Sequence, residues 1–124
     1  MQWLSVALGG ALGAMARFAV NALLYPAMAG KFPLGTFIVN LLGSILMGAC
    51  YVLIIERGLL PAELRNIVMV GFLGAFTTFS TFSLDAISLW QNGHLAMGLL
   101  YIFFSVSFCL AGAMSAIVVT RLLV

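Results

Sequence analysis

Four long apolar runs, separated only by short stretches rich in glycine, proline or charge, decide what this chain can fold into. A helix crosses a bilayer with about 20 apolar residues, and each run is long enough to do so. Of the 124 residues 65% are hydrophobic and 6% charged, so no water-soluble surface can be assembled from them. The expectation is an all-α integral membrane protein, a single four-helix domain over residues 1–124 with no room for a soluble one.

Met1-Gln2-Trp3 lacks the basic start of a signal peptide, and the apolar stretch after it is too long for a signal core, which predicts a retained first helix. That span runs roughly from Leu4 to Leu24, ends near Tyr25-Pro26, and precedes a turn-rich loop with Gly30, Lys31 and Pro33. Pro33 suits the first turn of the second span, Leu34 to Ile55, which Glu56-Arg57-Gly58 closes. Pro61-Ala62-Glu63 opens the third, Leu64 to about Trp90. Gln91-Asn92-Gly93-His94 then turns the chain into the fourth, Leu95 to about Val119, with Thr120-Arg121 at the exit. Both termini therefore share one side.

The third span is longer than a crossing needs and carries five hydroxyl residues in Thr77-Thr78-Phe79-Ser80-Thr81-Phe82-Ser83. Gly71 and Gly74 precede the cluster, and the helix is expected to be interrupted there. Interruption frees backbone groups at membrane depth, where only protein or water can satisfy them.

Five basic against three acidic residues give a net charge of +2, too small and too scattered for nucleic acid or a polybasic membrane patch. Arg57, Arg65 and Arg121 fall on the terminal side and Lys31 alone on the other. So weak a positive-inside bias permits insertion in both directions.

Four helices cannot easily enclose a conduction path and also shield it from lipid, so a homodimer is expected. Gly9 with Gly13, and Ser44 with Gly48, are spaced for close helix approach, either between subunits or within one. Asn40 and Ser44 share a face of the second span, and Tyr101, Ser105 and Cys109 repeat that spacing on the fourth. Each set reads either as a polar track or as interhelical glue. Phe72 and Phe76 read as packing surface, whereas Phe79 and Phe82, interleaved with hydroxyls, can offer positive ring edges to an anion. Arg17 is the one cation deep in a span, either functional or snorkelling to an interface. Asp85 can sit in a vestibule, cap a half-helix or pair with Arg17. Cys50 and Cys109 lack metal-ligand spacing and read as packing residues. No catalytic triad, paired carboxylate, zinc cluster or phosphate loop is present, and His94, the single histidine, falls in a loop, so no enzyme is expected.

Three segments, Gly9 to Phe18 (GGALGAMARF), Gly35 to Ser44 (GTFIVNLLGS) and Gly71 to Ser83 (GFLGAFTTFSTFS), resemble signatures of the bacterial fluoride channel family, Fluc or CrcB, in order and over the whole chain. The resemblance implies an antiparallel, dual-topology homodimer in the bacterial inner membrane, with two fluoride pathways and a broken third helix. By position, Phe79 and Phe82 match the family's pore-lining phenylalanines, Asn40 its pore asparagine, Ser80 and Thr81 its hydroxyl stretch, and Arg17 its first-helix arginine. Tyr101 and Ser105 match its fourth-helix polar track. The family also implies a structural Na+ held by backbone carbonyls, here of Gly74 and Thr77 from both subunits. Cys109 stands where a hydroxyl is expected and Asp85 where a glutamate is common, and a thiol is the weaker donor.

The expected activity is passive export of fluoride that entered an acidified cell as HF. An inside-negative potential of about 100 mV is worth about 2.3 kcal/mol per charge, enough to hold fluoride roughly fifty-fold lower inside. A small multidrug-resistance-type exporter shares the four-helix architecture, but its first-helix glutamate has no counterpart here. A structural membrane subunit would leave the Thr77 to Ser83 cluster unexplained.

Overall fold

A computed structural model describes residues 1–28 and 32–124. Gly30 and Lys31, expected in the first connection and in the count of basic residues, lie outside the described residues. Helix α1 covers Gln2–Met28, and α2 covers Leu34–Cys50 with π-helical turns Tyr51–Glu56 continuing it. Helix α3 is π-helical over Arg65–Leu73 and ends in the short turn Gly74–Phe76, α4 covers Phe79–Gln91, and α5 covers Leu95–Leu123. No strand occurs among the described residues. Four stretches are long and apolar enough to cross a membrane, namely Gln2–Tyr25, Leu34–Glu56, Arg65–Gln91 and Leu95–Leu123.

Where charge and glycine close α2, Gly58 takes φ +60° and the Leu59 N–H donates to the Leu53 carbonyl at 2.8 Å. Gly93, at φ +81°, makes the turn into α5. Two helix ends differ from expectation. Helix α1 continues past Tyr25-Pro26 to Met28, because Pro26 removes one N–H without forbidding another turn. Helix α5 continues past Val119 to Leu123 and takes Arg121 into its last turn. There the guanidinium grips Glu56 at the end of the second span, with Nε 3.0 Å from Oε1 and Nη2 2.7 Å from Oε2. That pair places the ends of the second and fourth spans on one side.

Small residues set the helix spacing. A Cβ at Gly9 would overlap the Ile67 carbonyl, and one at Gly13 the Phe72 carbonyl. One at Gly71 would lie 2.8 Å from the Val6 carbonyl. Helices α1 and α3 therefore touch backbone to backbone. Gly48 does the same for α2 and α5, where a Cβ would lie 2.5 Å from the Ala113 carbonyl. Of the two readings open for Gly9, Gly13 and Gly48, packing within one subunit is the one observed.

Candidate ion pathway at the helix break

The third span breaks at Thr77 and Thr78, both extended, with φ/ψ of −79°/160° and −154°/119°. The break falls within the hydroxyl cluster, three residues beyond Gly74. Gly71 instead serves the contact with α1. Local chemistry ends one helix and starts the next. The Thr77 N–H and Oγ1 both donate to the Leu73 carbonyl, at 3.1 and 3.0 Å. Oγ1 of Thr78 accepts the Thr81 N–H at 3.2 Å and so caps α4.

The backbone groups freed by the break find side-chain partners on other helices. The Thr78 N–H donates to Asn40 Oδ1 at 2.7 Å, and Asn40 Nδ2 donates to the Thr78 carbonyl at 3.0 Å. In an unbroken helix that N–H would have served the Gly74 carbonyl. Arg17 Nη1 donates to the Thr77 carbonyl at 3.3 Å, while Asn21 Nδ2 donates back to the Arg17 carbonyl at 2.9 Å. Arg17 thus serves the break and does not pair with Asp85. Gly43, one turn beyond Asn40, receives the Thr77 methyl, so the break can lie directly on α2.

Two cavities flank this point. The inner one, about 380 Å³, is lined by Asn40, Ser44, Thr78, Phe82, Ser105 and Cys109 among others. Asn40 and Ser44 both face this cavity. Ser105 is 4% exposed, and its Oγ has no hydrogen-bond partner. The outer cavity, about 680 Å³, is lined by Asn21, Thr36, Thr81, Asp85, Ser88 and His94 among others. Asp85 therefore occupies a vestibule, where its Oδ2 accepts the Tyr101 hydroxyl at 3.3 Å.

The α5 spacing does not give one continuous track. Ser105 and Cys109 face the inner cavity, while fully buried Tyr101 turns to Asp85 and packs its ring on Phe82, with centroids 5.3 Å apart. The two phenylalanines of α4 also separate. Phe82 is buried at 9% exposure and Phe79 is 78% exposed, though their rings lie 5.5 Å apart. Gly74, Ser80 and Thr81 are exposed as well, so the break presents an open polar face. Phe72 and Phe76 stack with centroids 5.8 Å apart, as packing residues do. Thr78 and Gly43 were not singled out by sequence. The signal for Gly43 was its i+3 spacing from Asn40, and that for Thr78 its place before the first turn of α4.

The fold and the break together define a class: a four-crossing helical membrane protein whose third span is interrupted by an extended threonine pair, held by an asparagine amide and an arginine. Residues 4–117 match the family model described as CrcB-like protein, Camphor Resistance (CrcB). Among curated relatives, the fluoride-specific ion channel FluC of Saccharophagus degradans is 50% identical over 98% of this chain and 91% of its own length. That of Hahella chejuensis is 52% identical over 95% and 93%, and that of Magnetococcus marinus 46% over 99% and 100%. The chain belongs to the CrcB family.

Proposed function

We propose that this chain is a fluoride-specific ion channel of the bacterial inner membrane that lets F⁻ leave the cytoplasm passively. Relatives about as long as this chain and up to 52% identical to it carry that function in their names, which is the observation that carries the reading. Family membership sets aside the drug-exporter and structural-subunit alternatives.

Fluoride is small and tightly hydrated, so a pathway must replace its water with donors. Asn40 lines the inner cavity with one amide N–H beyond that given to Thr78, and Ser105 adds an unpartnered hydroxyl there. Phe79 and Phe82 line the same cavity, and Thr81 adds a hydroxyl at the start of α4 with Ser80 beside it. Tyr101 acts at one remove, by supporting the Phe82 ring and engaging Asp85. Arg17 contributes positive charge next to the break.

The active unit is an antiparallel, dual-topology homodimer with two fluoride pathways. The exposed polar face around Gly74, Phe79, Ser80 and Thr81 supports this, because lipid cannot satisfy broken backbone and a second copy can. A structural Na+ fits the donors of that face. The Gly74 carbonyl has lost the Thr78 N–H, and the Thr77 carbonyl keeps a lone pair beside the one Arg17 engages. Bound between the two breaks, the ion would supply fixed positive charge at the subunit contact.

The test is reconstitution into fluoride-loaded liposomes, with efflux recorded by a fluoride electrode on adding valinomycin and chloride-loaded vesicles as control. Rapid fluoride loss without chloride loss supports the reading. Fluoride retention by folded protein sinks it.

A further inference from the structure

A small hydroxyl network links residues that line the two cavities. Thr78 lines the inner cavity and Thr81 the outer one, and their hydroxyl oxygens are 3.1 Å apart, with Thr78 donating. Ser80 Oγ lies 3.3 Å from Thr78 Oγ1 on another side, and the Thr81 N–H reaches the same oxygen at 3.2 Å.

A hydroxyl has one proton to give and two lone pairs to receive with. The three contacts of Thr78 Oγ1 use that capacity fully. Its proton goes to Thr81 Oγ1, so its lone pairs must take the Thr81 N–H and the Ser80 O–H. The Ser80 proton is thereby committed to Thr78 and denied to an ion. The Thr81 hydroxyl already receives a proton from Thr78, so its own is left for another acceptor, and Thr81 lines the outer cavity.

We propose that Thr78 is a positioning residue for anion passage: through one hydroxyl it caps α4 and orients the Thr81 O–H as a donor to fluoride in the outer cavity. Its backbone is held in place for this by both bonds to Asn40. The α4 cap also fixes the first helical turn, which carries Phe79 and Phe82. The two neighbouring hydroxyls, alike in sequence, thereby acquire different roles. Thr81 is the donor, and Ser80 is a support for Thr78.

This inference rests on the fluoride-channel reading, and the experiment separates the two. Full-length protein carrying Thr78→Ser, Thr78→Val, Thr81→Val, Ser80→Ala or Thr78→Val with Thr81→Val is reconstituted and its fluoride efflux compared with the unsubstituted chain. Thr78→Ser, which keeps the hydroxyl, is expected within about threefold of it, whereas Thr78→Val and Thr81→Val are each expected about tenfold slower. The double variant is expected to be no slower than the slower single, because Thr78 acts through Thr81. Efflux by Thr78→Val within about threefold of the unsubstituted chain, or multiplied losses in the double variant, overturns the inference while leaving the channel reading intact. No fluoride efflux from the unsubstituted chain overturns both. Should Thr78→Val not fold, the pair Thr81→Val and Ser80→Ala decides: a larger loss at Thr81 supports the assignment, and an equal or larger one at Ser80 overturns it.

Discussion

Asn40 and Thr78, on different spans and 38 residues apart, exchange two hydrogen bonds, so that a side-chain amide takes the place of the missing helical backbone. Both Asn40 Oδ1 and one Nδ2 proton are thereby committed to holding the break. Replacement of the amide acts on fold and pathway together.

Asn40→Asp turns the donor facing the Thr78 carbonyl into an acceptor and adds negative charge to an anion route. Fluoride efflux is expected to fall by about a hundredfold or more. Efflux near that of the unsubstituted protein, read by fluoride electrode, would remove Asn40 from the pathway.

Phe79 and Phe82 differ in burial, and their substitutions should separate stability from flux. Phe82→Ile loses the ring contact with Tyr101 and is expected to cost about 1 kcal/mol of stability in addition to slowing efflux. Phe79→Ile, at an exposed position, is expected to slow efflux with a stability change within about 0.5 kcal/mol. Unfolding in detergent with efflux on the same samples checks both, and equal stability losses would contradict the assignment.

Gly13→Val places side-chain atoms on the Phe72 carbonyl, where only backbone could yield, and is expected to cost about 3 kcal/mol or more. Gly10→Val is the control, since the nearest atom to a Cβ there is 3.9 Å away. The comparison is read from yields of folded protein on size-exclusion chromatography. Equal yields would show that α1 and α3 are not in backbone contact.

Glu56→Gln breaks the grip of Arg121 at the membrane surface. Because the pair is open to water, a small loss of thermal stability is expected at low ionic strength that vanishes as salt rises, with efflux unchanged throughout. A loss that persists at high salt would mean that the pair is more sheltered than its geometry shows.

The four crossings were legible because apolar length is itself the signal, and Gly58 and Gly93 marked turns that need positive φ. The break was legible to within a few residues, since hydroxyls and glycines do not crowd into an uninterrupted span. Its support was not. Which side chains meet Thr78 depends on how α2 lies across α3, and no local pattern around Asn40 encodes that crossing. The division of the α5 polar residues was hidden for the same reason. Tyr101, Ser105 and Cys109 share a helix face, but Asp85 on α4 meets only the first of them.

The π-helical winding of Arg65–Leu73 has a consequence for which changes of length the chain can survive. A π turn closes five residues back instead of four, so this stretch holds more residues per turn than its neighbours. Removing one would let the stretch tighten toward ordinary α geometry, which winds fewer residues into each turn and so offsets much of the rotation that the loss imposes on the rest of the span. An inserted residue has no such reserve, and it would turn Thr78 away from Asn40 while every side chain near the break was still present. Between Arg65 and Phe76 the chain therefore tolerates shortening better than lengthening, whereas the connection from Arg57 to Leu64 can absorb an inserted residue.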